Sequence, residues 1–325
     1  MPGQVSRRSI MMVLGSWPLV STLPSRAQER VRLVFATAGE GSAFLAFGQA
    51  AKPVIERYAP VTIDLRQTGG TNENAELLQA GEAQLGCLSM GPGYDAWNGR
   101  GPFQGRPLRA LRAVAPLYET AYHSIALAGS GIRTLKELSG RRVGVGPAGG
   151  PGEVFFRGIA EALAIKATVV TGTPAALSAK VLAREIDAFW YGSGLPSPPF
   201  ADIASQAEAV VFGFQRDEAQ LFRRRFPTFT PHEIPAGTYP GQTEPISSLA
   251  TWNFIATHAG VVDEALYRVT KALLDRPDEV RAAFPTAAAM TRANAVANTF
   301  LPFHAGAARY YRETGVILPP ALLSG

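Results

Sequence analysis

A chain of 325 residues, 46% hydrophobic and 18% charged, is long for one hydrophobic core and too apolar for a disordered polypeptide, so two folded units are expected. Its formal charge of +5 is not a nucleic-acid signal, because Arg7, Arg8 and Arg26 of the leader supply three of those charges with no acid beside them. The single cysteine, Cys87, excludes an intramolecular disulfide and thiolate metal chemistry, and reads as a small core residue.

Residues 1–27 read as a removed signal peptide: basic Arg7-Arg8, an apolar run from Ile10 to Leu23, then Ser25-Arg26-Ala27 as the cleavage pattern. Gly15 and Pro18 break that run, which is too short to anchor the mature chain, and no later stretch approaches a membrane span. Ser6-Arg7-Arg8 also fits a twin-arginine signal, with an ordinary Sec leader as the alternative. Either route exports a soluble protein.

Val31 to Ala36 is predicted as a strand, followed by a glycine turn and a helix from Ala43 to Tyr58 with apolar residues at helical spacing. Val61, Ile63 and Leu65 alternate as in a half-buried strand. Thr68-Gly69-Gly70-Thr71 then opens a helix that stops at Gly81, with Thr71 as its N-cap in the simplest reading. Strands are expected from Gln84 to Met90 and from Leu108 to Leu117, and an extended run from His123 to Leu127. A second series repeats the logic: a short helix over 132–138, a strand at 142–146, a helix from the Gly149-Gly150-Pro151-Gly152-Glu153 turn through Leu163, strands at 167–171 and 186–191 around a helix at 175–184. Pro196, Pro198 and Pro199 end that run. Residues 227–245 read as loop before a strand at 247–257, and the remainder as helices over 262–274 and 305–315. This is α/β wiring in two units.

Several motifs invite chemistry. Gly144-Val145-Gly146-Pro147-Ala148-Gly149 matches the dinucleotide pattern, yet Pro147 stiffens the turn and Val170-Thr171-Gly172-Thr173 carries no acid for a ribose hydroxyl. Neither Gly129-Ser130-Gly131 nor Gly192-Ser193-Gly194 has the spacing of a nucleophile elbow. His123, His232, His258 and His304 are scattered and form no zinc pattern. Arg223-Arg224-Arg225 reads as a solvated helix face. An exported two-unit α/β chain without a catalytic constellation fits a binding protein, not an enzyme, and needs no cofactor. The glycine-opened helix N-termini at 69–74 and 149–153 suit an anion, since first-turn N–H groups lack intrahelical partners and carry the positive end of the helix dipole.

With these residues assembled, the chain resembles the TAXI-type solute receptors, the periplasmic binding proteins associated with TRAP transporters. Thr68-Gly69-Gly70-Thr71-x-x-Asn74 is similar to that family's T-G-G-S-x-x-N, and Leu77-Leu78-Gln79-Ala80-Gly81-Glu82 to its following helix and turn. The likeness continues through Leu117-Tyr118, His123, the segment 131–143, Gly149 with Glu153, Asp187-Ala188, Gly237-Thr238-Tyr239 and Pro302-x-His304-x-Gly306-Ala307-x-Arg309-Tyr310-Tyr311. The resemblance implies an α/β type II periplasmic binding protein with two α/β lobes around a ligand cleft: residues 28–124 and 247–325 as lobe 1, residues 125–246 as lobe 2. It implies a monomer that captures a small organic anion, a carboxylate, and delivers it to a TRAP-type membrane permease, binding no nucleic acid. The alternative is a periplasmic sensor that hands its liganded state to a membrane signalling partner.

Expected ligand contacts are Ser42, Phe44, Thr68, Gly69, Gly70, Thr71, Asn74, Ser89, Gly149, Gly150, Glu153, Tyr191 and Trp252. Three departures count against glutamate itself: Phe44 where the family turn has a tyrosine, Gly149-Gly150-Pro151-Gly152-Glu153 in place of G-S-G-T-E, and Met90-Gly91-Pro92-Gly93 near Ser89. With Phe44, Trp190, Tyr191 and Trp252 as candidate walls, the expected ligand has one carboxylate and an apolar or aromatic body.

Overall fold

A computed structural model describes residues 30–40 and 42–323, together with Met1 and Gly3. The expected signal peptide and its twin arginines, apart from those two residues, and Gly41 lie outside the described residues. The first half carries β1 (Val31–Ala36), α1 (Ala43–Tyr58), β2 (Val61–Arg66), α2 (Thr71–Ala80), β3 (Leu85–Ser89), α3 (Met90–Asn98) and the long β4 (Leu111–Leu127). Next come β5 (Arg142–Gly144), α4 (Pro151–Ala162), β6 (Thr168–Val170), α5 (Pro174–Leu182), β7 (Ala188–Ser193), α6 (Pro198–Gln206), β8 (Ala209–Phe212), α7 (Arg216–Arg225) and β9 (Thr230–Ile234). A second long strand, β10 (Ile246–His258), returns to the first half, followed by α8 (Asp263–Asp275), α9 (Pro277–Ala283) and α10 (Ala305–Glu313).

The described strands form one continuous sheet in the order β2-β1-β3-β10-β4-β7-β5-β6, with β8 added to β4 and β9 to β10. β1, β2 and β3 run parallel, as do β5, β6 and β7, so in each half the helices follow the carboxyl ends of parallel strands. The antiparallel pair β4 and β10 runs through both halves and joins them. Their register slips between Trp252 and Phe254, opposite Glu119 and Pro116, so β4 carries one extra residue there; such a β-bulge bends a strand and re-aims a side chain.

Two lobes follow from where the apolar side chains go. Phe35, Phe47, Ile55, Leu88, Phe254, Leu266 and Tyr311 belong to one core around the first half of the sheet, and Cys87 is fully buried within it, as expected. In the second half the period of two splits β4 and β7 between the faces: Tyr122, Ala126 and Trp190 enter one core with Val143 and Phe222, while Ile125 and Phe189 enter another with Leu177 and Phe200.

The differences from the sequence expectation have local causes. Leu108–Leu117 and His123–Leu127 belong to a single strand, because half-buried Glu119 and Thr120 interrupt the apolar run without ending the pairing. Met90-Gly91-Pro92-Gly93 opens α3, since a proline in the first turn removes an N–H that has no intrahelical partner anyway. Pro198 and Pro199 likewise open α6. The expected loop over 227–245 contains β9, which tolerates Pro231 because it pairs with β10 alone, at the edge of the sheet.

Candidate functional site

The carboxyl ends of β1, β2 and β3 are tied together by α2. Asn74 is fully buried and its amide donates to Thr37 O at 2.7 Å and to Cys87 O at 2.8 Å. Its Oδ1 lies 2.6 Å from Thr68 Oγ1, which in turn accepts from Gly70 N at 3.0 Å. Thr71 is the first residue of the helix and not its N-cap: the cap is Gly70, at φ 100°, and the Thr71 hydroxyl accepts from Ser89 N at 3.0 Å. A left-handed φ of that kind favours glycine over any residue with a Cβ. The T-G-G-T-x-x-N motif therefore spends its side chains on the strand ends. What it leaves for a ligand is the first-turn N–H groups of Thr71, Asn72 and Glu73, which precede the first intrahelical bond, Asn74 N to Gly70 O at 2.9 Å.

The second lobe repeats this device with different residues. Gly149 (φ 68°) donates its N–H to Glu153 Oε2 at 2.8 Å, and Gly69 donates to Glu73 Oε2 at 2.7 Å. In each lobe the leading glycine N–H is thus already held by a carboxylate four residues ahead. Glu153 also receives Arg157 Nε at 2.8 Å and Nη2 at 2.7 Å, and the Gly149 N–H, then Arg157, hold its carboxyl below the usual range. Gly152 packs so closely under Val145 O that any Cβ would collide with it. Backbone geometry thus accounts for this glycine turn without a nucleotide.

The remaining expected contacts lie at the start of α1, at the end of β3, on β7 and on β10. Ser42 caps α1 by accepting from Leu45 N at 3.1 Å, and half-buried Phe44 lies 6.5 Å from the Tyr118 ring. Ser89 closes β3 at 8% exposure, its hydroxyl without a hydrogen-bond partner among the described residues. Tyr191 is half-buried beside Phe189, and Trp252, half-buried on β10, stands opposite Glu119. Trp190 is not a wall: it is fully buried in a lobe 2 core, 5.5 Å from Phe214, because the alternation of β7 turns it away from the face that carries Tyr191.

The lobes touch on both flanks of the seam between them. A Cβ at Gly91 of α3 would stand 2.9 Å from Phe155 Cζ of α4, and one at Gly194, just after β7, would collide with Thr286 Cγ2 of the Pro285–Ala289 turn. Sequence reasoning missed Tyr118 and Tyr122 of the crossing strand β4, whose rings meet Phe284 of the first half at 5.7 Å and Phe155 of the second at 5.3 Å. The available signal was Tyr118 and Tyr122, four apart and so on one face of a largely apolar strand.

The seam segments carry acids, Glu40, Glu73, Glu119 and Glu153, but no bases. Segments 37–44, 68–74, 89–93, 118–122, 146–153 and 191–194 contain no lysine or arginine. Burial raises the phenols of Tyr118, Tyr122 and Tyr191 above their usual range, so all three are neutral hydroxyls at physiological pH. The histidines do structural work. His123, fully buried, has Nδ1 3.1 Å from Ala121 O and Nε2 2.7 Å from Tyr239 Oη, which accepts from Ser197 N at 2.9 Å; burial lowers its pKa to about 3. His304 caps α10 through Gly306 N at 3.2 Å, His258 accepts from Gly260 N at 3.1 Å, and His232 Nδ1 lies 3.3 Å from Glu119 Oε2. Among the described residues no group of three or more His, Cys, Asp or Glu could hold a metal ion.

Two crossing strands, two α/β lobes and a seam faced by helix N-termini define a two-lobed binding protein. The chain belongs to the NMT1-like family, a family of periplasmic solute-binding proteins, whose pattern it matches over residues 35–315. Its fold is shared with a TctC solute binding protein from Polaromonas, at 15% identity over 81% of this chain and 89% of that one, with a TM-score of 0.52. It is also similar to the periplasmic aliphatic sulphonate binding protein SsuA from Escherichia coli, at 15% identity over 91% of this chain and 94% of that one, with a TM-score of 0.46. A third similar structure is substrate binding domain 2 of Lactococcus lactis GlnP in an open conformation, at 13% identity over 80% and 96% of the two chains, with a TM-score of 0.46. The family is one of substrate-binding proteins that work with membrane transporters, not of enzymes. No helix among the described residues is long and apolar enough to cross a membrane.

Proposed function

We propose that this protein is an exported receptor that captures a small organic carboxylate in the cleft between residues 28–124 with 247–325 and residues 125–246, and delivers it to a TRAP-type permease. The observation that carries this reading is the pair of glycine-opened helices, α2 and α4, one in each lobe, each following the carboxyl end of a parallel strand beside the seam. First-turn N–H groups of Thr71 to Glu73 and of Gly152 and Glu153 favour an anion. Ser42 and Ser89 add hydroxyls, and Phe44, Tyr191 and Trp252 add apolar surface. Thr68, Gly69, Gly70 and Asn74 hold the first turn in shape, and Gly149, Gly150 and Glu153 the second. The resemblance to the TAXI receptors supports the choice of a carboxylate and of the permease.

The test is thermal unfolding of residues 28–325 against acidic amino acids, dicarboxylates and aromatic carboxylates. A ligand at about 100 times its dissociation constant adds roughly 2.7 kcal/mol, so at least one class is expected to raise the melting temperature by several degrees. A flat response across the panel would sink the carboxylate reading.

A further inference from the structure

Buried hydroxyls normally find partners, because an unpaired buried O–H loses its water without replacement. On the crossing strand β10, Ser248 Oγ donates to Tyr122 O at 2.8 Å and Thr257 Oγ1 to Gln84 O at 2.6 Å. Between them, fully buried Thr251 breaks the rule: its hydroxyl has no hydrogen-bond partner among the described residues. Valine has the same shape without that cost, so stability alone does not account for a threonine here. Two other buried hydroxyls share the condition, but Ser124, opposite Trp190, and Ser197, beside Tyr239, stand among lobe 2 residues.

Thr251 stands between the cores. On the same face of β10, Leu249 enters a lobe 2 core and Ile255 the lobe 1 core. The strand register sets Thr251 opposite half-buried Thr120, and Asn253 opposite Ser89. Asn253 Nδ2 donates to Thr120 Oγ1 at 2.8 Å, so these side chains share a face. Ser89, Thr251 and Thr120 therefore form a row of hydroxyls across three adjacent strands, β3, β10 and β4, at the level where one core gives way to the other. Ser89, at 8% exposure, is likewise without a partner for its hydroxyl among the described residues.

We infer that this row recognises an uncharged hydroxyl of the ligand, so that the substrate class is a hydroxy-substituted carboxylate in preference to its deoxy counterpart. The inference rests on the carboxylate reading above and narrows it. Serine and threonine hydroxyls both donate and accept, as a ligand hydroxyl does, whereas a charged group set against them would lack a counter-ion. A site that bonds a hydroxyl disfavours the analogue lacking it, because its own polar groups are then left unpaired. The contacts of Gly91 with Phe155 and Gly194 with Thr286 close both flanks, so the row is covered here and a ligand reaches it when the lobes part.

The experiment is calorimetric titration of residues 28–325 with three matched pairs: mandelate and phenylacetate, malate and succinate, 3-hydroxybutyrate and butyrate. It is repeated on Thr251→Val and Ser89→Ala. In a pair that binds, the hydroxy acid is expected to bind about tenfold tighter than its deoxy partner, and at least one variant to remove most of that preference. Thr251→Val removes an unpaired hydroxyl, so its ligand-free melting temperature should not fall; a fall with the preference intact would make Thr251 structural and overturn the inference. Equal affinities within every pair that binds, or a preference that survives both variants, would overturn it and leave the carboxylate receptor standing. Silence from all six compounds would overturn the inference, and the carboxylate reading with it if the wider thermal panel is also flat.

Discussion

At the scale of the residue, Asn74 shows how a motif legible in sequence can have partners that are not. Thr68-Gly69-Gly70-Thr71-x-x-Asn74 stands out as a turn built for a purpose, but the partners of Asn74 are the main-chain carbonyls of Thr37 and Cys87, which no side-chain pattern encodes. Replacing Asn74 with alanine strands both carbonyls and should lower stability by about 2–4 kcal/mol, read from the midpoint of urea unfolding. A loss well under about 1 kcal/mol would show that water or a shifted strand satisfies them. His123 makes a second residue-scale prediction. Its folded-state pKa, lowered by burial to about 3, lies below the unfolded value of about 6.5, so between those limits the unfolded chain binds more protons and stability rises with pH. The stability present above about pH 6.5 should therefore be lost progressively on acidification toward pH 3, and the His123→Asn variant should lack that component. An unchanged pH profile in the variant would exclude His123 as its source.

At the scale of the element, legibility followed pattern length. The strands β1 and β2 and the helices α1 and α2 were readable because each carries several turns or alternations of apolar residues. The missed elements, α3, α6, β8 and β9, are short or begin with proline and glycine, so local composition resembles a loop while tertiary packing of Ala96, Phe200, Phe212 and Ile234 decides the outcome. The glycine turn at 144–149 shows the converse: a strong sequence pattern serving backbone closeness and the capping of α4. That cap is testable. Because the Gly149 N–H and Arg157 hold the Glu153 carboxyl below its usual range, its contribution is present at neutral pH and disappears as pH falls through the folded-state value. Glu153→Gln should flatten the acid limb of the stability curve relative to the wild type, and a parallel curve would mean that the cap contributes nothing.

At the scale of the whole molecule, the order of elements made two α/β units legible, because a repeated series of strand, glycine turn and helix can be read without knowing its partners. The return of the chain to the first unit near residue 247 was also legible, with the resemblance implying crossing strands, but the contacts that join the units were not. They depend on the crossing pair β4 and β10, whose contacts near Trp252 lie more than 100 residues apart in sequence, and on Gly91 against Phe155 and Gly194 against Thr286. No local periodicity marks such pairs. They carry the consequence that matters most, for a ligand held between the lobes must depend on the closeness of both flanks. At Gly194 the three nearest heavy atoms to an added Cβ all belong to Thr286 of the opposite lobe, so Gly194→Leu obstructs this approach. The decisive measurement is the calorimetric affinity of wild type and Gly194→Leu for the tightest carboxylate. A drop of at least about tenfold with an unchanged ligand-free melting temperature is expected if the ligand is enclosed between the lobes; equal affinities would contradict a site in the cleft.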